Sequence, residues 1–234
     1  MSTNTGLLNI LKEGKYGVIH PQNTSDTAIA IDFARFEDCL SHELQDQKVA
    51  VHVKDKNTKE EFVFFSIHLP GYRLEFPADE AQIENHLNNV KESLASGASA
   101  SITKLNAYVE GMRKQYPNAK IIIQGDFNTY PEYFELPKLS DNIRQMNIFK
   151  KLQENNLALL RTGIPTELNL KIASFHEREI DYVFTDQSLA GRIQIIEQSD
   201  PELSLVNIEG KQVHFDPMLL FSDHRPIWTE ITAQ

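Results

Sequence analysis

Cysteine is almost absent from this sequence: Cys39 is the only one in 234 residues. A lone thiol excludes an internal disulfide and any zinc cluster assembled from cysteine pairs, so burial has to hold the fold together. Cys39 itself reads as a small buried apolar residue. No stretch approaches the roughly 18 consecutive apolar residues of a membrane span, and the opening MSTNTGLLNILKEGK lacks the basic-then-apolar layout of a signal peptide. The cytoplasm is therefore the default compartment. Low-complexity tracts and Pro- or Gly-rich linkers are also missing, which excludes a disordered or fibrous chain. Positive charge is in deficit, with 23 Lys and Arg against 33 Asp and Glu for a net charge of -10. That balance argues against tight retention of nucleic acid by a general positive field. It leaves room for an enzyme that meets a phosphate substrate briefly, with a bound dication supplying the charge at the site.

What is present is an ordinary globular balance, 41% hydrophobic and 24% charged, expected to fold as one domain over residues 1–234. Residues 6–13 (GLLNILKE) read as a short helix and 26–32 (DTAIAID) as a strand. Two apolar runs, 48–53 (KVAVHV) and 62–69 (FVFFSIHL), flank the turn-prone DKNTKEE and predict a hairpin. Apolar residues recur at helical spacing from Asp79 to Tyr116, with a weak point at SGASAS around Gly97. Residues 120–124 (KIIIQ) form a short β-branched run expected of a strand buried on both faces. A helix is expected around 141–156, then a looped region, a strand at 179–184 and a last strand at 226–231. The alternation is α/β with a mixed sheet. Trp228, Phe62, Phe64 and Phe65 are read as core, given their strand context.

Three segments share one layout, in which an apolar strand ends in acids, amides or imidazoles. They are FFSIHL with His68, IIIQGDFN with Asp126 and Asn128, and FSDHRP with Asp223 and His224. Carboxylates at buried strand ends are costly unless paired or bound to a cation, so their convergence predicts a metal site. Each residue also has a plainer reading. Asp126 suits an Asx-turn after Gly125, Asp223 a turn or cap, His224 a polar surface loop, and Asp26 a turn before a strand. Asp181 is harder to dismiss, because it stands inside an apolar strand where an acid needs a reason.

Gly125-Asp126-Phe127-Asn128, Ile180-Asp181-Tyr182 and Ser222-Asp223-His224-Arg225-Pro226, with Ile67-His68-Leu69 upstream, stand in the order of the signature segments of the endonuclease/exonuclease/phosphatase family. From about Gly6 to its end the chain resembles that family. The resemblance implies a four-layer α/β sandwich, two packed mixed β-sheets flanked by helices, with Mg2+ (or Mn2+) at one edge polarising phosphoryl oxygens while water attacks in line. It implies that Asp126 orients or deprotonates the water, that Asn128 hydrogen-bonds the phosphate or that water, and that Asp181 orients His224 against the phosphate. Asp223 is implied as a direct metal ligand, joined by Asp126 and Asn128. His68 is implied as a donor to phosphate or leaving group, with Asp26 as its orienting partner. Arg225, Arg73, Tyr72 and Arg178 lie near these motifs, though solvated placement is expected of each.

The family has two segments ahead of the matched region: a first strand bearing Asn, and a second ending in Gln-Glu whose Glu holds the metal. Neither is in this sequence, and Glu13, the nearest acid, sits at the end of its predicted helix and not at its entrance. The expectation is an N-terminally truncated domain, with a partner or second copy as one way to complete the sheet edges. The expected activity is metal-dependent phosphoester hydrolysis, with nucleic acid ahead of phosphoinositide, sphingomyelin or other small phosphoesters as substrate. A binding or regulatory homologue without catalysis is the alternative from another class.

Overall fold

The computed structural model describes residues 16–19, 27–44, 48–69, 99–135, 141–145, 147–163, 179–196, 204–208, 211–215 and 228–232. Its centre is a six-stranded mixed sheet built around the predicted hairpin. β4 (Lys48–Asp55) and β5 (Glu61–His68) pair antiparallel, with β3 (Phe36–Leu44) on the outer side of β4. β6 (Lys120–Asp126) lies parallel to β5, as a crossover through a helix requires. Beyond it come β8 (Asp181–Asp186) and then β7 (Leu157–Leu160), both antiparallel to their neighbours, giving the order β3-β4-β5-β6-β8-β7.

Strand alternation sends successive side chains to opposite faces, and each face has its own core. Val63, Phe65, Ile67, Ile121, Ile123, Tyr182 and Phe184 meet Leu105, Val109 and Met112 of α1 (Ser99–Gln115). Ile148, Phe149 and Leu152 of α2 (Ile148–Glu154) join the same cluster. Val51, Val53, Phe62, Ile122 and Val183 occupy the other face. There they meet two ribbons, β1 (Tyr16–Ile19) with β2 (Ile29–Asp32), and β9 (Ile193–Ile196) with β12 (Trp228–Ile231). Leu189, in the short helical turn Gln187–Ala190 after β8, joins this second core. β10 (Ser204–Ile208) and β11 (Lys211–Phe215) form a separate antiparallel pair. The mixed α/β sandwich expected from the sequence is thus the observed architecture, with three of its four layers visible among the described residues: helices, main sheet and ribbons.

At the end of the main sheet away from the sequence motifs, Asp186 fastens the layers. Its Oδ2 accepts the Ile121 N–H at 2.6 Å, while Arg113 of α1 donates to its Oδ1 at 2.7 Å. Arg192, at the head of β9, grips both carboxylate oxygens of Glu60 at 2.7 and 2.8 Å and so ties a ribbon to β5.

Several elements differ from expectation. The single helix expected over 141–156 is broken into a turn at Asp141–Arg144 and α2, because the Asn147 side chain accepts the Lys150 N–H and caps a new start. The following region contains β7, entered through Asn156 at φ 61. β3 and β1 were unforeseen, and β3 carries a bulge between Glu37 and Leu40, with Asp38 at φ 54. Cys39 sits on that bulge half-buried, packed against the second core and not within it. Phe62 and Phe65 are buried as expected, and Phe64 is half-buried. The helix at 6–13, the weak point before Ser99, Asp26, Arg73, Tyr72, Arg178 and the Trp228 side chain lie outside what is described. No described helix is long and apolar enough to cross a membrane.

Candidate active site

Strand register brings the predicted residues together. β5 and β6 end side by side, with His68 opposite Asp126, and β8 begins beside them, with Asp181 opposite Asp126. His68, Asp126 and Asp181 therefore occupy one row across three strands. By alternation all three face the ribbon side of the sheet, in line with Phe62, Phe64, Ile122 and Val183 below them. The row stands where the apolar core between sheet and ribbons gives out at the carboxyl ends of β5 and β6, the usual place for a site in an open α/β sheet.

His68 Nε2 lies 3.6 Å from Asp126 Oδ2, an ion-pair distance longer than a hydrogen bond, and the two side chains are 36% and 15% exposed. Among the described residues, Asp126 is thus the acid seen beside His68. Asp126 also makes the Asx-turn of the plainer reading. Its Oδ1 accepts the Asn128 N–H at 2.6 Å, so the turn and the site are one device. Asn128 takes φ 50, a conformation Asn tolerates, and donates from its amide to Leu69 O at 2.8 Å and Asp126 Oδ2 at 2.9 Å. The Leu69 carbonyl fixes which end of the amide points inward, since only the NH2 can donate to it. Through these bonds the Asn128 amide orients the Asp126 carboxylate.

The backbone holds this turn closely. Gly125 has φ 148, and a Cβ there would stand 2.0 Å from Ile67 O, so no other residue fits without parting β5 from β6. The pairing continues past the strands, with Phe127 N–H donating to Ile180 O at 2.9 Å and Leu69 N–H to Asp126 O at 2.8 Å. Phe127 is fully buried against Phe149, Tyr182 and Phe184 and anchors the loop that carries Asn128.

A second polar cluster, not anticipated from the sequence, borders the site. The Glu179 carboxylate, 8% exposed, accepts from Thr162 N at 2.7 Å, Thr162 Oγ1 at 3.0 Å, Gly163 N at 3.2 Å and Arg161 at 2.7 Å. Arg161 also bonds Glu132 of the 3-10 helix Pro131–Glu135, and the Tyr182 hydroxyl donates to Glu179 O. Burial raises the Tyr182 phenol well above its ordinary range, so it stays protonated as that donor. Burial, the largest single effect, would raise the Glu132 carboxyl, but the bond from Arg161, a backbone hydrogen bond and the Arg161 charge together outweigh it and the net shift is downward. The only hint in the sequence was the position of Glu179, two residues before Asp181.

His224 and Asp223 lie outside the described residues. The Asp126 and Asp181 carboxylates and the Asn128 carbonyl oxygen are hard donors of the kind magnesium takes. They fit a divalent cation in kind, but among the described residues no group of three His, Cys, Asp or Glu side chains is placed to hold one.

No protein-family model matches the chain, and no curated protein sequence does. Solved structures do. The endonuclease domain of TRAS1, a telomere-specific non-LTR retrotransposon, is similar with a TM-score of 0.52 and 16% identity, over 100% of this chain and 94% of that one. A truncated TDP2 from Caenorhabditis elegans is similar with a TM-score of 0.50 and 12% identity, over 83% of this chain and 71% of that one. The human Nocturnin catalytic domain with bound sulfate is matched at 13% identity and a TM-score of 0.48, over 81% of this chain and 66% of that one. With its sheet order, its paired ribbons and its likeness to the TRAS1 and TDP2 domains, the chain has the endonuclease/exonuclease/phosphatase fold.

Proposed function

We propose that the chain is a metal-dependent phosphoester hydrolase that acts by in-line attack of water, with Asp126 as proton acceptor. The observation that carries this reading is the row His68, Asp126 and Asp181 at the carboxyl ends of β5 and β6. In the proposed reaction the water oxygen bonds to phosphorus as the ester P–O bond breaks, and the water proton passes to Asp126 Oδ2. Asn128 holds that carboxylate by two of its own N–H groups, which fixes the acceptor before substrate arrives. His68, beside Asp126, donates to a phosphoryl or leaving oxygen, and Asp181 orients His224. Asp126 and Asp223 are the residues that would hold Mg2+ or Mn2+, which when bound neutralises charge on the phosphoryl oxygens.

A nucleic acid phosphodiester is the preferred substrate class, in line with the TRAS1 domain being an endonuclease. The net charge of -10 favours the second reading, a small phosphoester or phospholipid headgroup. The test is release of nitrophenol from bis(p-nitrophenyl) phosphate and nicking of plasmid DNA, each with and without Mg2+ or Mn2+. Asp126→Ala and His224→Ala should each lower the rate by about 10²-fold or more. A folded wild-type protein that is inert on every phosphoester with either metal would overturn the reading.

A further inference from the structure

We infer that Glu179 is a positioning residue for the proposed hydrolytic site, fixing the head of β8 so that Asp181 stays in register with Asp126; the inference rests on the proposed function.

The need for such a clamp lies in the register itself. Asp126 and Asp181 are directly opposed across an antiparallel ladder, and like charges in that relation push the strands apart. Asp181 is the first residue of β8, where a strand end would fray first. Any fraying there moves Asp181 and also the Ile180 carbonyl that accepts the Phe127 N–H, and with it the turn that carries Asn128. The separation of the two carboxylates therefore depends on what holds residues 179 and 180.

Glu179 supplies that hold from three directions. Its carboxylate is nearly buried and receives donors from three consecutive residues, Arg161, Thr162 and Gly163, just beyond the end of β7. A carboxylate saturated in this way is far stronger than an exposed ion pair, because removing it strands several donors at once. Its carbonyl receives the Tyr182 hydroxyl, which locks the backbone across Asp181 itself. Arg161, the cation shared by Glu179 and Glu132, carries the constraint to the 3-10 helix that follows Asn128. One guanidinium thus joins the segments after Asn128 and before Asp181. A lysine would hold the two carboxylates less firmly, lacking the planar fork.

Glu179 is inferred to act through the backbone of β8, so its effect should appear in geometry-dependent quantities. The experiment combines amide hydrogen exchange with steady-state kinetics on Glu179→Gln, Arg161→Met and Arg161→Lys. In Glu179→Gln, exchange at the Phe127 amide should quicken by about tenfold or more, while Ile122 and Val183 in the middle of the same sheet keep their protection. With bis(p-nitrophenyl) phosphate and Mn2+, kcat should fall by about tenfold with KM within about twofold, and Arg161→Lys should lie between wild type and Arg161→Met. Unchanged exchange at Phe127 would overturn the inference, and so would a uniform rise across the sheet, which would make Glu179 a stability residue only. A wild-type protein without hydrolytic activity refutes the proposed function, whereas the exchange measurement still decides whether Glu179 holds the strand head. Should Glu179→Gln fail to fold, Arg161→Met together with Thr162→Val carries the same comparison, with the same outcomes for and against.

Discussion

Asp126 and Asp181 face each other across the β6–β8 ladder, each at the end of its strand and both on the ribbon side of the sheet. Two opposed carboxylates at a strand end are a standing electrostatic cost that a divalent cation nearby would relieve. Magnesium or manganese should therefore stabilise the folded protein. At tenfold excess over Kd the linkage amounts to about 1.4 kcal/mol. Urea unfolding with and without Mn2+ reads it directly. The increment should shrink in Asp126→Asn and in Asp181→Asn, and equal increments in all three proteins would refute a cation at this pair.

Gly125 determines how closely β5 and β6 approach. Since a Cβ at this position would lie 2.0 Å from Ile67 O at φ 148, Gly125→Ala has no relaxed solution that preserves the ladder. We expect a loss of about 3 kcal/mol or more in chemical unfolding. The damage should also reach the site, because the His68–Asp126 register lies one residue on. A variant that unfolds like wild type would show that the strands can part without cost.

The strands that carry the chemistry were legible because their sequences satisfy two demands at once. KIIIQ and FVFFSIHL are apolar enough to specify burial on two faces, and each then ends abruptly in a polar residue that burial cannot explain. The helical stripe Leu105, Val109 and Met112 was legible for the same reason of unmixed periodicity. β3 was not, since FEDCLSHEL has polar residues on both faces of an outer strand and is ordered by pairing with β4. β7 is four residues long, too short to carry a period. At the site, the role of Asn128 turned on a contact with the Leu69 carbonyl 59 residues away in sequence, which no local pattern encodes. The Glu179 clamp was hidden likewise, because its donors arrive from a strand end that the sequence did not reveal.

The Glu60–Arg192 fork makes a pH-dependent statement about the ribbons. Hydrogen bonding to Arg192 holds the Glu60 carboxyl below its ordinary value, against the smaller opposing effect of burial. A carboxylate with a lowered folded pKa contributes stability that is fully present above the unfolded value of about 4.3 and is lost as pH falls through the folded value. Glu60→Gln should therefore cost about 1 kcal/mol near pH 7, and the gap from wild type should close as pH falls from about 5 toward 3. A constant gap over that range in urea unfolding would show that the fork contributes by packing and not by charge.

His42, on the outer strand β3, makes that edge of the sheet sensitive to mild acid. Tyr116, just past α1, stacks on the His52 ring at 4.0 Å between centroids and meets His42 Nε2 through its hydroxyl at 2.9 Å. Gln115 donates to that hydroxyl at 3.0 Å, which leaves the Tyr116 O–H free to donate to an unprotonated His42 Nε2. His52 Nε2 faces Glu61 at 3.3 Å, and its buried Nδ1 has no hydrogen-bond partner among the described residues. Burial, and then the neighbouring His52, lowers the His42 pKa. A lowered imidazole value means that the unfolded chain takes up the proton first. His42 therefore costs nothing above about pH 6.5, and stability declines as pH falls below it until the folded state is protonated too. His42→Phe should flatten the fall in unfolding free energy between about pH 7.5 and 5, while Tyr116→Phe should lower stability by about 1 kcal/mol at the upper pH. If His42→Phe keeps the wild-type slope, the acid sensitivity belongs to another group and the hydroxyl contact is only a packing detail.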